Sequence, residues 1–380
     1  MNSDRVIRVL IVDDSGFMRR AIGKMLASAE DILVVGTAST GEEALALDGE
    51  LKPDVITMDV EMPGMGGLEA ARAIIARRGP PIIMISSLTR DGAETTLRAL
   101  EIGAVDFIPK PDSATIDIIR VKDDLLEKVR LFGGRFAGRR SGLPRPASAP
   151  LQTPAPSGAA PRAAAAPPAV VPVPGRPSAA TRRPGPFECV AIGTSTGGPV
   201  ALAIVLPKLP AAFPLPILIV QHMPPGFTKA LADRLNAASA ITVVEGQHGM
   251  RLERGTAIIA PAGQQLTLRR NGAGVEVRLE ADVRKSLHVP SVDVLAAAVG
   301  EMFGAASLGV ILTGMGHDGV NGLAVIKKNG GYVIGQDEAS AVVYGMPRAA
   351  AVAGLVDRVV PLADVARTLC DVAGAAYIAR

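Results

Sequence analysis

The run E-C-V-A-I-G-T-S-T-G-G-P, residues 188–199, decides how the second half of this chain folds. A short apolar stretch ends at Gly193, Ser195 follows two positions later, and Gly197, Gly198 and Pro199 precede a resumed apolar pattern of helical spacing. That is the grammar of strand, sharp turn and helix, with Ser195 held on the turn. A serine there is exposed among free backbone N–H donors, and the literal G-x-S-x-G match suggests a hydrolase nucleophile. Gly and Ser also serve such turns for turn chemistry and capping alone. The motif therefore has meaning only if partners reach it.

Working outward, strand-like runs fall at 190–193, 217–221, 241–244, 257–260, 308–313 and 332–334, with helical patterns at 227–235, 292–303 and 323–328. Residues 266–269 and 275–279 flank Asn271-Gly272, a hairpin signal. The expectation is a mostly parallel α/β sheet with an antiparallel hairpin. No helix-turn-helix with a basic recognition face is evident, and no nucleic-acid partner is expected.

Two further strand ends offer partners for Ser195. His222 closes I-L-I-V-Q-H ahead of M-P-P-G, and Asp318 lies in L-T-G-M-G-H-D-G, where a strand again turns into a helix. Of the other histidines, His248 and His288 read as turn and loop residues, and His317 adjoins the acid. A competing pattern is present: Gly314, Gly316 and Gly319 spell G-x-G-x-x-G, with Asp337 and Glu338 downstream where a ribose-binding acid is expected. That motif comes late, with little chain left for a second mononucleotide half. A GK[ST] phosphate loop is excluded because Pro199 follows Gly198. A Ser–His–Asp triad uses all three rim sites, and triads are recognised by geometry and not by chain order.

Upstream, residues 1–132 alternate strand and helix. Apolar runs at 9–12, 33–35, 55–58, 82–85 and 105–108 read as strands of a doubly wound, five-stranded parallel sheet, whose ligands bind at the strands' carboxyl ends. Charged residues gather there: Asp13 and Asp14 after the first strand, Asp59 after the third, Ser86 and Ser87 after the fourth, Lys110 after the fifth. Three carboxylates at one rim repel unless a cation sits among them, and hard oxygen ligands suit Mg²⁺. A Lys and a hydroxyl beside that ion would orient a phosphoryl group arriving on a carboxylate.

V-D-D-S, M-D-V-E-M-P and F-I-P-K-P resemble the receiver domain of two-component response regulators. The resemblance implies that Asp59 is the phospho-acceptor, that Asp13, Asp14 and Asp59 hold Mg²⁺ with the Glu61 backbone, and that Lys110 contacts the phosphoryl group. Ser86 matches the switch hydroxyl, with Ser87 its rival by one position, and Phe107 occupies the aromatic switch position.

The 380 residues suit two domains, and the formal charge of +3 belongs to what joins them. Residues 133–186 carry eight Arg, no Lys and no acid, so +3 less these eight leaves −5 for the rest. Rich in Pro, Ala, Gly and Ser, the segment reads as a linker spanning roughly 40 Å r.m.s. if flexible. No apolar run approaches the roughly 18 residues of a membrane span, so a cytoplasmic protein without membrane insertion is expected. Cys189 and Cys370 read as reduced core thiols.

G-T-S-T-G-G-P, Q-H-M-P and T-G-M-G-H-D-G resemble the catalytic domain of the chemotaxis protein-glutamate methylesterase (CheB) family, placed at 187–380. The resemblance implies hydrolysis of glutamyl methyl esters on methyl-accepting chemoreceptors, deamidation of glutamines, and activation by a chemotaxis histidine kinase through Asp59. It gives Ser195, His222 and Asp318 the catalytic roles and Thr196 and Met315 the oxyanion. No cofactor is expected for the ester chemistry, and a monomer is expected. The alternative is a non-enzymatic response regulator whose output domain binds a nucleotide or a protein.

Overall fold

Strands without polar alternation must be covered on both faces, and in the first unit the central strands Val55–Asp59 and Ile82–Ser86 are buried throughout, while the edge strand Ile32–Ala38 leaves Leu33 exposed. β1 (Ile7–Val12), β2 (Ile32–Ala38), β3 (Val55–Asp59), β4 (Ile82–Ser86) and β5 (Asp106–Pro109) pair in the order β2-β1-β3-β4-β5, all parallel. The helices α1 (Gly16–Leu26), α2 (Gly41–Leu51), α3 (Gly67–Ala76), α4 (Arg90–Glu101) and α5 (Ile118–Arg140) enclose it. Ser15, Thr40 and Thr89 cap α1, α2 and α4 through their hydroxyls, satisfying N–H groups a helix start leaves open. The computed structural model describes residues 6–110, 118–140, 186–272, 274–282 and 286–377.

The helix closing this unit runs on past residue 132, through the first residues assigned to the linker. Gly133 lies inside this helix, where a Cβ would lie 2.5 Å from Ile7 and 3.2 Å from Val55. The glycine lets α5 press against β1 and β3, and Ala137 is buried one turn later. The remainder of the expected linker, from 141 to 185, lies outside the described residues.

The second unit is a seven-stranded parallel sheet in the order β14-β13-β12-β6-β7-β9-β8. Its strands are β6 (Cys189–Thr194), β7 (Ile217–Gln221), β8 (Thr242–Glu245), β9 (Thr256–Ile259), β12 (Ser307–Ile311), β13 (Tyr332–Gln336) and β14 (Arg358–Val360). β10 (Gln265–Asn271) and β11 (Gly274–Glu280) form the separate antiparallel hairpin. The helices are α6 (Gly198–Val205), α7 (Phe227–Ala238), α8 (Val292–Phe303), α9 (Val320–Lys328), α10 (Met346–Val352) and α11 (Leu362–Ala373). The chain starts the sheet at β6, works outward to β8 and β9, then returns to β12 on β6's other side. The reversal between β6 and β12 leaves a crevice at their carboxyl ends, where ligands of open α/β sheets bind. Cys189 and Cys370 are buried free thiols.

The two units touch. The rings of Phe107 on β5 and Phe227 at the start of α7 stack with centroids 4.7 Å apart and planes 15° from parallel. Arg234 on α7 pairs with Glu101 on α4 through two hydrogen bonds, and Arg135 on α5 donates to the Val342 carbonyl at 2.6 Å. Among the described residues, no helix is long and apolar enough to cross a membrane.

Candidate active site

Ser195 stands one residue past β6, at the reversal point. Its N–H donates to the Thr313 carbonyl (3.1 Å) and its carbonyl accepts from Gly198 (2.8 Å), closing the turn into α6. The turn demands glycine twice. Gly197 has φ of 76°, and a Cβ on Gly198 would fall 1.8 Å from the Gln221 amide oxygen. Gln221 then ties the rim together: it accepts from the Thr194 hydroxyl (2.6 Å) and donates to the carbonyls of Ser195 (2.9 Å) and His222 (3.0 Å).

His222 follows β7, its N–H on the Thr194 carbonyl at 3.1 Å, so the ladder itself sets it beside the serine turn. Its Nε2 lies 2.7 Å from Asp318 Oδ2, while Nδ1 is buried and has no hydrogen-bond partner. Asp318 also accepts from the Ser291 hydroxyl (2.9 Å) and from the N–H groups of Val292 (2.7 Å) and Asp293 (3.0 Å). Burial alone would raise its pKa. The His222 bond and charge, followed by the two backbone donors, hold it well below the ordinary carboxylate range. In the neutral ring, an Nε2–H donating to the Asp318 carboxylate leaves the Nδ1 lone pair available as a base.

Ser195, Thr196, His222, Met315 and Asp318 line one cleft of about 1490 Å³, brought together from the ends of three strands, β6, β7 and β12. Its other wall is the first unit: Phe107, Val121, Asp124 and Lys128. Met315 and Val343 pack into the apolar cluster containing Ile108, Val121 and Leu125. The ring of His288 stacks on His222 with centroids 4.0 Å apart. Sequence reasoning passed over Gln221, Ser291, Asp293 and His288. The S-V-D at the start of α8 was the available signal, and it reads as an ordinary helix cap.

At the other rim, Asp13, Asp14 and Asp59 present carboxylate oxygens within 4.8 Å of one another. Lys110 Nζ is 2.7 Å from Asp59 Oδ2 and 3.8 Å from Asp13 Oδ2, and Glu61 N–H donates to Asp59 Oδ1 at 3.2 Å. Burial pushes Asp59 up to about 6 against the Lys110 bond, with Asp13 adding repulsion. Asp13 Oδ2 is buried without a hydrogen-bond partner. An orphaned carboxylate oxygen among three acids fits a hard divalent cation. Ser86 is fully buried, and its hydroxyl is engaged by Thr96 Oγ1 (2.6 Å) and the Gly92 carbonyl (3.2 Å) of α4. Ser87 is half-buried and pairs with Thr89.

Comparison with known proteins gives both halves a family. The response regulator receiver domain matches residues 9–119, and CheB methylesterase matches residues 190–369. A protein of Alkalilimnicola ehrlichii named protein-glutamate methylesterase/protein-glutamine glutaminase is 45% identical, over 96% of this chain and 98% of its own. The chain belongs to the CheB methylesterase family. Another relative of the same name, from Nitratidesulfovibrio vulgaris, is 46% identical over 96% of this CheB-family chain and 99% of its own. The crystal structure of the Thermotoga maritima CheB methylesterase catalytic domain is 39% identical, with a TM-score of 0.48, covering 49% of this chain and 98% of that one.

For a CheB-family chain the glycines 314 and 319 have another explanation than a dinucleotide. Gly314 admits the Ser195 turn, whose Cβ would lie 2.9 Å from an added methyl, and Gly319 with φ of 105° starts α9. Asp337 caps its own loop, accepting from Ser340 N–H at 3.0 Å. The nucleotide-binding alternative finds no support in these relatives or in this geometry.

Proposed function

We propose that this chain hydrolyses glutamyl methyl esters on methyl-accepting chemoreceptors, releasing methanol, and hydrolyses selected glutamine amides to glutamate and ammonia. Ser195, His222 and Asp318 carry both reactions. The observation behind this is the His222 ring, with Nε2 on Asp318 at 2.7 Å and Nδ1 buried without a partner at the rim that Ser195 shares.

Ser195 Oγ adds to the ester carbonyl as its proton passes to His222 Nδ1. Asp318 stabilises the resulting imidazolium through Nε2. Backbone donors of the turn after Ser195, with Thr196 and Met315, stabilise the oxyanion. The C–O bond to the methoxy group breaks as His222 returns the proton to it, and methanol leaves. Water, deprotonated by His222, then adds to the acyl-serine. Collapse frees the glutamate carboxylate and Ser195 regains its proton. With an amide the leaving group is ammonia.

The receiver domain controls access. Asp59 accepts the phosphoryl group from a chemotaxis histidine kinase, and Lys110 pairs with its oxygens. Asp13, Asp14, Asp59 and the Glu61 carbonyl would hold Mg²⁺, which when bound neutralises charge on the incoming phosphoryl group. Drawing Ser86 toward Asp59 would break its bond to Thr96 of α4 and loosen the seating of α4 and Phe107 on α7, which holds the first unit against the cleft. The protein works in the cytoplasm as a monomer.

Methanol release from methylated receptor membranes tests the reading. The wild type should release methanol faster with acetyl phosphate than without, and S195A should release none under either condition. Wild-type release by S195A would refute the nucleophile; release indifferent to acetyl phosphate would refute the switch.

A further inference from the structure

The His222 ring is held in its own plane by one hydrogen bond, Nε2 to Asp318. That leaves a problem, because the terminal torsion of a histidine is broad and one bond does not stop the ring swinging about it. Transfer from Ser195 needs Nδ1 aimed at Oγ throughout the cycle. What covers the ring face is His288, stacked at 4.0 Å with planes 13° from parallel.

The stack is itself braced. The buried amide of Gln265 donates to the His288 carbonyl (3.1 Å) and accepts from Ser291 N–H (2.8 Å), clamping both ends of the 288–291 segment to β10. The same segment sends the Ser291 hydroxyl to Asp318 at 2.9 Å. One short piece of chain therefore secures both members of the His–Asp pair, the acid by a hydrogen bond and the base by a ring face.

We infer that His288 is a positioning residue for the hydrolysis, holding the plane of the His222 ring by stacking so that Nδ1 stays directed at Ser195 while Nε2 stays on Asp318. The inference rests on the Ser195–His222–Asp318 reading. The function lies in the flat ring and not in the His288 nitrogens, since aromatic stacking is a property of the ring faces. Phenylalanine should therefore substitute where alanine does not.

The test measures kcat and KM for methanol release by the full chain on methylated receptor membranes. Misplacing a reacting group by about 1 Å costs on the order of 100-fold, and a partial loss of restraint is set at about 10-fold on that scale. H288A should lose about 10-fold in kcat with KM within about twofold, and H288F should return kcat to within about threefold of wild type. His288→Asn, polar but without a ring, should repeat the Ala result and stands in if H288A folds poorly. H288F as impaired as H288A would overturn the inference in favour of a nitrogen function. An effect confined to KM would overturn it in favour of substrate contact, and unchanged kcat in H288A would overturn it outright. H222A run in parallel separates the two levels: wild-type activity there would sink the triad reading itself.

Discussion

Asp293 and Asp318 exchange caps. Asp318, from the turn before α9, accepts the first N–H groups of α8 at Val292 (2.7 Å) and Asp293 (3.0 Å). Asp293, in the first turn of α8, accepts from Gly319 and Gly322 at the start of α9, both at 2.9 Å. Ser291 occupies the N-cap position of α8 but makes no side-chain cap, its hydroxyl being spent on Asp318. The acid of the proposed triad is thus located by two helix N-termini crossing, each supplying the anion the other attracts.

Removing Asp293 should uncouple the two. D293A leaves two N–H groups of α9 without their acceptor, at a cost of about 0.5–2 kcal/mol in stability, and frees the 318 turn to shift. The expected outcome is a lower melting temperature and a kcat reduced about 10-fold. D293N keeps one accepting oxygen for Gly319 and Gly322 and should lie closer to wild type. Thermal unfolding and methanol release on the same preparations check both. D293A with unaltered kcat would show that the cap exchange does not position Asp318.

Much of this arrangement is legible before folding, for a definite reason. Strands buried on both faces appear as unbroken apolar runs, so the polar residue ending each run marks the rim, and Ser195, His222, Asp318, Asp13, Asp59 and Lys110 all stand at such ends. β14 was missed because R-V-V is three residues long with Val359 half exposed, too short for any period to register. α11 went unremarked although Val365, Ala366, Leu369 and Cys370 face the core at helical spacing. The boundary expected at 132 falls inside α5, since only packing against Ile7 shows why a glycine belongs within that helix. The cap exchange joins residues 25 positions apart (293 to 318) and the Phe107–Phe227 stack residues 120 apart. No local pattern carries such pairings.

The contact between the units predicts a charge-swap experiment. Glu101 and Arg234 pair across the boundary, on α4 and α7, and neither lines the cleft. An exposed pair is worth at most about 1 kcal/mol, roughly a factor of five in a docking equilibrium. E101R sets two cations against each other and should raise methanol release without phosphodonor by up to about fivefold. R234E should do the same with two acids, and the double variant E101R/R234E should return to the low basal rate. If the single variants leave the basal rate unaltered, seating of α4 on α7 does not limit access to Ser195.

Chelation should separate the two rims. Asp13, Asp14 and Asp59 gather their oxygens within 4.8 Å in the receiver domain, whereas the ester chemistry proposed at the other rim runs through Ser195, His222 and Asp318. With EDTA in excess, acetyl phosphate should no longer accelerate methanol release, because Lys110 alone is left to offset the charge of a phosphoryl group approaching three carboxylates. The rate without phosphodonor should be unaltered by EDTA, and adding back Mg²⁺ should restore the acceleration. A basal rate that falls in parallel with the stimulated one would place a metal in the ester hydrolysis itself and overturn the assignment of His222 as the base that activates both serine and water.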